Sequence, residues 1–221
     1  MDDLKGKCEV LSWESFHEAS KELGNKIKQA GFQPDIIIGL ARGGWAPARN
    51  MCDFLGVKDL ISIKMEHWGD TATKDGNAQM KYPVKVDLIG KNVLIVDDVA
   101  DTGDSLKISK EYVKTMNPKE TKTATLWCFD NTPDEKLSDF YVERKTWRWI
   151  IFPWNYTEDV ISLMKKMLEK YEKVHHSEIQ SKMDERFDIK LDNNSVNELL
   201  EEAQRRNKIK KHDDGEHWGK V

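Results

Sequence analysis

The sequence predicts an α/β fold, a parallel sheet flanked by helices, with a small, mainly helical appendage at its C-terminal end. Three observations predict it. Residues 34–39 form a short, continuously apolar run, too short for a buried helix and therefore a buried strand, and 59–64, 92–97 and 121–128 read as further strands. Stretches with apolar residues three or four apart separate several of these runs, and alternation of the two patterns implies parallel strands joined by helices. Beyond Thr157 the texture changes to helical periodicity.

Taken in order, Ser12-Trp-Glu-Ser-Phe opens a helix in which Phe16, Ala19, Leu23 and Ile27 share a face and Gly31 closes the run. Residues 46–54 return to helical spacing after the first strand. Residues 66–81 are polar, carry two glycines and read as a long loop. The clearest strand, 92–97, leads into a helix over 104–116. Residues 140–143 supply another strand, and Trp149-Ile-Ile-Phe-Pro-Trp154 is a compact apolar close. In the appendage, helices are expected over 159–171, 177–187 and 195–206, with a hairpin turning at Asp214-Gly215. This gives a domain over 1–157 and an appendage over 158–221.

The chain has 221 residues, a net charge of −4, 38% apolar and 33% charged residues. That is a soluble composition with no overall attraction to nucleic acid or an anionic membrane. No apolar stretch approaches the ~20 residues needed to span a bilayer, and no signal-peptide pattern opens the chain. The isolated cysteines Cys8, Cys52 and Cys128 read as reduced thiols, so a cytoplasmic setting is expected.

The chemistry concentrates in Val93-Leu-Ile-Val-Asp-Asp-Val-Ala-Asp-Thr-Gly-Asp-Ser-Leu106. In an open parallel sheet, ligands bind outside the carboxyl ends of the strands, and this segment carries an apolar strand to that edge. Gly103 permits a tight turn whose amides, with the following helix N-terminus, can cradle a phosphate, and Thr102 and Ser105 add hydroxyls. Asp97 and Asp98 suit vicinal ribose hydroxyls and can hold Mg²⁺ directly or through water. As a strand cap alone, two adjacent acids before a small-residue turn would have no purpose.

This segment resembles the signature of the type I phosphoribosyltransferases. Ile38-Gly-Leu-Ala-Arg-Gly-Gly-Trp-Ala-Pro-Ala48 is similar to the diphosphate loop of their 6-oxopurine branch, and the 149–154 segment to the base pocket of short bacterial and archaeal purine enzymes. The resemblance covers about residues 10–157. It implies the type I phosphoribosyltransferase fold and Mg²⁺-dependent transfer of ribose 5-phosphate from phosphoribosyl diphosphate to a purine. It implies that Ala41, Arg42, Gly43 and Gly44 grip the diphosphate and that Asp101, Thr102, Gly103, Asp104 and Ser105 hold the 5-phosphate. It also implies that Asp101 sits near the purine N7 as general base or acid, that Arg42 helps to neutralise the leaving group, and that Trp149 stacks on the base with Ile150 meeting its edge. The resemblance further implies that residues 66–81 form a lid and that the enzyme assembles as a dimer or tetramer. The chain departs from the branch where a lysine donating to the 6-oxygen is expected: Phe129 or Asp130 stands there, with Lys136 and Lys145 as substitutes. Asp104 lies inside the phosphate loop, where an outward side chain is required.

The appendage, helix–helix–short strands, resembles a winged helix-turn-helix. From His175 to Val221 there are nine Lys/Arg and eleven Asp/Glu, a balance that argues against DNA. The competing function is a regulator that senses phosphoribosyl diphosphate without turnover, acting through this module.

Overall fold

The computed structural model describes residues 8–67, 78–171 and 173–221. The chain forms two compact units, Glu14–Trp147 and a second built from the N-terminal stretch ending at Trp13 together with Arg148–Val221.

In the first unit, helix α1 (Trp13–Gln29) leads to β2 (Ile36–Ala41), after β1 (Cys8–Val10) of the other unit. Then follow α2 (Trp45–Leu55), β3 (Asp59–His67), β4 (Ala78–Tyr82), β5 (Asn92–Ala100), α3 (Asp104–Lys114), β6 (Glu120–Phe129) and β7 (Phe140–Lys145). The six strands lie in the order β4-β3-β2-β5-β6-β7. All neighbours are parallel except β3 and β4, which run antiparallel. The strands at 36–41 and 92–100 carry the unbroken apolar runs Ile36–Ile38 and Val93–Val96 because they are central and covered on both faces. Ile36, Ile38, Leu40, Val93 and Ile95 share one core with Leu106 and Val113 of α3. Ile37 and Leu94, fully buried, face the other way by alternation. There Ala48 of α2 sits so close to Gly39 that a β-carbon added to the glycine would lie 2.9 Å from the alanine's.

The stretch 66–81, expected as a loop, begins and ends as strand. Glu66 pairs with Gln79 and His67 with Ala78, past a register shift between Lys64 and Met65. The polar composition that suggested a loop is that of an edge strand, which presents one side to water. The interior of the expected lid, 68–77, lies outside the described residues.

In the second unit, β1 pairs in parallel with β8 (Trp149–Ile151). After α4 (Tyr156–Leu168) come β9 (Val174–His175), α5 (Ile179–Phe187), α6 (Asn193–Arg205), β10 (Ile209–Lys211) and β11 (His217–Lys220). The last three strands form an antiparallel sheet, β10-β11-β9, with Gly215 at positive φ in the hairpin. Asp192 caps α6 by accepting the Ser195 amide at 2.9 Å. One core unites Cys8 and Ile151 with Val160, Met164, Met167, Met183, Phe187, Leu200 and Trp218. Thus 149–154 and the N-terminal strand pack with the C-terminal helices, although the change in composition falls near Thr157. Burial pushes the Cys8 thiol up to about 11, as expected of an inert core cysteine.

Candidate functional site

Strands β2 and β5 are adjacent and parallel, with Gly39 opposite Val96, so their carboxyl ends deliver two turns to one edge of the sheet. The first turn is Ala41-Arg-Gly-Gly44. The Ala41–Arg42 peptide bond is cis, the Gly44 amide donates to the Leu40 carbonyl at 2.9 Å, and Trp45 starts α2 at once. This turn lies directly against the end of β5. A β-carbon at Gly43 would fall 2.0 Å from Oδ2 of Asp98, and one at Gly44 would fall 2.4 Å from the Val96 carbonyl oxygen and 2.8 Å from Cα of Asp97. At Gly44 the obstacle is backbone and only glycine fits, while at Gly43 a side chain would have to displace the Asp98 carboxylate. Arg42 is exposed at the rim.

The two carboxylates of β5 therefore sit under the first turn. The Asp97 carboxylate accepts the Asp98 amide at 3.0 Å, and Asp98 accepts the Val99 amide at 2.8 Å. Both are held above the usual carboxylate range. For Asp97 the causes are desolvation and then the neighbouring Asp98 charge, opposed by the amides of Asp98 and Gly44. For Asp98 desolvation raises the value to about 6 against the pull of the Val99 amide. Two adjacent, protein-enclosed carboxylates are a site in want of positive charge or hydroxyl donors.

The second turn, Asp101 to Ser105, bends at Gly103 (φ 73°), which precedes the first residue of α3. A β-carbon there would lie 2.4 Å from the Lys136 carbonyl oxygen. The Asp104 amide donates to the Thr102 hydroxyl at 3.3 Å. The Asp104 carboxylate, placed inside a phosphate-binding segment, pairs with the Lys136 ammonium at 2.7 Å.

The loop after β6 supplies residues that sequence inspection does not single out. The Thr132 hydroxyl lies 2.8 Å from the Ala100 carbonyl oxygen and 2.7 Å from that of Asp101, tying the end of β5 to this loop. The Asn131 amide donates to Oδ1 of Asp101 at 3.3 Å. Arg144 of β7 holds the loop from the other side, donating to the carbonyls of Asp130 (2.8 Å) and Thr132 (3.1 Å) and to the Asp134 carboxylate (2.9 Å). These are contacts between residues some 10–32 positions apart, set by strand pairing, so no local pattern announces them.

Neither substitute for the expected lysine is placed as a simple replacement. Lys136 is engaged by Asp104, and the Lys145 ammonium lies 4.4 Å from the centre of the Trp127 ring. Phe129 is buried, and Asp130 accepts the Thr146 hydroxyl at 3.0 Å.

Ala41 to Gly44, Asp97, Asp98 and Asp101 to Ser105 thus all belong to the first unit, and the structure brings the first turn against the acid pair. Trp149 and Ile150 belong to the second unit. Trp149 packs partly against its core, Ile150 is buried, and the Trp149 indole nitrogen is enclosed without a hydrogen-bond partner among the described residues.

A model of the phosphoribosyl transferase domain matches residues 9–160. The xanthine-guanine phosphoribosyltransferase of Idiomarina loihiensis is 30% identical over 145 residues, covering 66% of this chain and 85% of that protein. The xanthine-guanine phosphoribosyltransferase of a Ruegeria species is 30% identical over 155 residues, covering 66% and 84%. Among solved structures, a purine phosphoribosyltransferase of Pyrococcus horikoshii superposes with a TM-score of 0.58 at 35% identity, over 67% of this chain and 93% of that one.

Proposed function

The chain belongs to the phosphoribosyltransferase family, and from that premise we propose its reaction: transfer of ribose 5-phosphate from phosphoribosyl diphosphate to a purine base, releasing diphosphate. The observation that carries the reading is the convergence of a glycine turn on two charge-hungry carboxylates at the end of β5, beside a second turn that opens α3.

In this reading the amides of Ala41 to Gly44, with Arg42, take the diphosphate, and Asp101 to Ser105 take the 5-phosphate at the start of α3. Asp97 and Asp98 meet the ribose hydroxyls. The same pair suits Mg²⁺: hard oxygen donors, burdened by desolvation and mutual repulsion, gain from a divalent cation. Bound there, the ion would neutralise charge on the departing diphosphate. Among the described residues no third acidic, histidine or cysteine group joins them, so substrate oxygens and water would complete its shell.

The chemistry asks no covalent nucleophile of the protein. As the bond from C1 to the diphosphate oxygen breaks, a purine nitrogen forms the new bond to C1 from the opposite face. The diphosphate leaves with the bonding electrons, and Asp101 takes the proton displaced from the base. Trp149 and Ile150 stay in the proposal as base contacts on the strength of a family match that runs to residue 160.

The order α4, β9, α5, α6, β10, β11 supports reading the C-terminal unit as winged-helix-like. Duplex binding is not part of the proposal, because the unit is net acidic over 175–221 and Glu202 on α6 pairs with both Arg205 and Arg206 at 2.6 Å.

The test is direct. The protein is incubated with phosphoribosyl diphosphate, Mg²⁺ and a panel of purine and pyrimidine bases, and nucleotide and diphosphate are measured. Nucleotide formed from a purine is the expected result. Tight binding of phosphoribosyl diphosphate with no nucleotide from any base would replace the transferase with a sensor.

A further inference from the structure

We propose that Asn131 donates a hydrogen bond to the 6-oxygen of the acceptor base, through the same amide nitrogen that holds Asp101. The inference rests on the reading of Asp101 as proton acceptor at the purine N7.

On a purine, N7 and the exocyclic 6-substituent sit side by side on one edge. A group hydrogen-bonded to the carboxylate that meets N7 is therefore a near neighbour of the 6-substituent. Asn131 is that group, with Nδ2 3.3 Å from Oδ1 of Asp101. An ionised carboxylate only accepts, so its charge turns the amide nitrogen, and not the amide oxygen, toward the base edge. Nδ2 carries two hydrogens. One is used by Asp101 and the second can reach an oxygen at position 6.

The neighbouring polar side chains are committed elsewhere. Asp130 accepts from Thr146, Thr132 is buried against the carbonyls of Ala100 and Asp101, Lys136 pairs with Asp104, and Lys145 lies over Trp127. The residues on either side of Asn131 are fixed through their carbonyls by Arg144, so the position of this exposed side chain is set by its frame. A neutral amide pulls less on the 6-oxygen than a cation would. It still rejects a 6-amino group, whose hydrogens would face its own.

The experiment compares hypoxanthine with purine unsubstituted at position 6, in the wild type and in N131A and N131D. N131A loses the bond to Asp101 for both bases and the contact to the 6-oxygen for one, so kcat/KM is expected to fall about tenfold further for hypoxanthine than for unsubstituted purine. N131D, nearly isosteric, lacks the donor and sets a second carboxylate beside Asp101, so it should lose activity on both bases and more of it on hypoxanthine. Equal losses on both bases would mean that Asn131 only orients Asp101, and no loss would mean that it does neither; either result overturns the proposal. Equilibrium binding of inosine 5′-monophosphate against the nucleotide of unsubstituted purine decides the same point without turnover. Selective weakening of inosine 5′-monophosphate by N131A supports the contact, and parallel behaviour of the two nucleotides removes it. A wild type that turns over no base would sink the transferase reading alone, because the binding comparison still judges Asn131. Asn131 is exposed, so both variants should unfold at wild-type temperature, which a thermal melt checks.

Discussion

The two turns at the edge of the sheet are shaped by different forces. The turn at 41–44 is defined by exclusion: a β-carbon at Gly44 would strike the backbone of the neighbouring strand, and one at Gly43 the Asp98 carboxylate. The turn at 101–105 is defined by attachment, through Thr132, Asn131 and Lys136 on a loop that belongs to another strand pair. Exclusion gives one shape or none, since packed backbone does not yield. Attachment is graded, because each hydrogen bond or ion pair can be lost singly.

The sharpest way to break this contrast is a single methyl group in each turn. Gly44→Ala places a β-carbon 2.4 Å from a backbone oxygen of β5, with no flexible side chain to move aside. It should lower stability by about 3 kcal/mol or more and abolish detectable transfer, measured by denaturant unfolding and nucleotide formation. Gly103→Ala meets the Lys136 carbonyl in a short surface turn and suffers a positive φ, so a smaller cost of about 1–3 kcal/mol is expected. Equal costs for the two would erase the distinction.

Chemistry at the attached turn comes next. Asp101→Asn should reduce kcat by about 10²–10³-fold while leaving the affinity for phosphoribosyl diphosphate within a few-fold, by steady-state kinetics and calorimetry. An unchanged rate would remove Asp101 from proton transfer.

The acid pair beneath the excluded turn makes a prediction of opposite sign for stability and binding. The folded-state value of Asp98, about 6, is raised above the ordinary 3.8, so its ionisation opposes folding. The contribution of Asp98 to the stability of the ligand-free protein is therefore present near pH 4 and is lost as pH rises through 6. Asp98→Asn should raise the unfolding free energy at pH 8 by about 1–2 kcal/mol while weakening Mg²⁺-dependent binding of phosphoribosyl diphosphate at least tenfold. Unfolding curves at pH 5 and 8 check the first part, and titration calorimetry the second.

The smallest effect is expected at the ion pair. Lys136→Met removes the ammonium that pairs with the Asp104 carboxylate in the phosphate-binding turn. Stability should change by less than about 1 kcal/mol, since both partners are partly exposed. The KM for phosphoribosyl diphosphate should rise a few-fold, and added salt should reduce the difference.

Much of the site can be read directly from residue order. The strand 92–100, its two acids and the small-residue turn into α3 are local features, carried by apolar continuity and by glycine. The elements around them follow with end errors of a few residues: 34–39 against 36–41, and 104–116 against 104–114. What local pattern cannot supply is pairing. A polar stretch looks the same as a loop or as the antiparallel edge formed by β3 and β4. Three residues at 8–10 carry too little signal to announce a parallel partner at 149–151. Asn131, Thr132 and Arg144 sit in a run with no recognisable spacing, and acquire meaning only when β5, β6 and β7 lie side by side. The pairing of Asp104 with Lys136 likewise needed the loop after β6 to be in place.

The parallel partnership of β1 with β8 also sets an order on biosynthesis. Residues 8–10 leave the ribosome early, yet the strand they join and the helices that enclose Cys8 come after the whole of Glu14–Trp147 has been made. The first unit is thus an insertion within the second, and its own strands are all synthesised before the helices that complete the second. A shortened protein ending at 157 would leave Cys8 and Ile151 without the helices that bury them, whereas excision at 14 and 147 respects both cores.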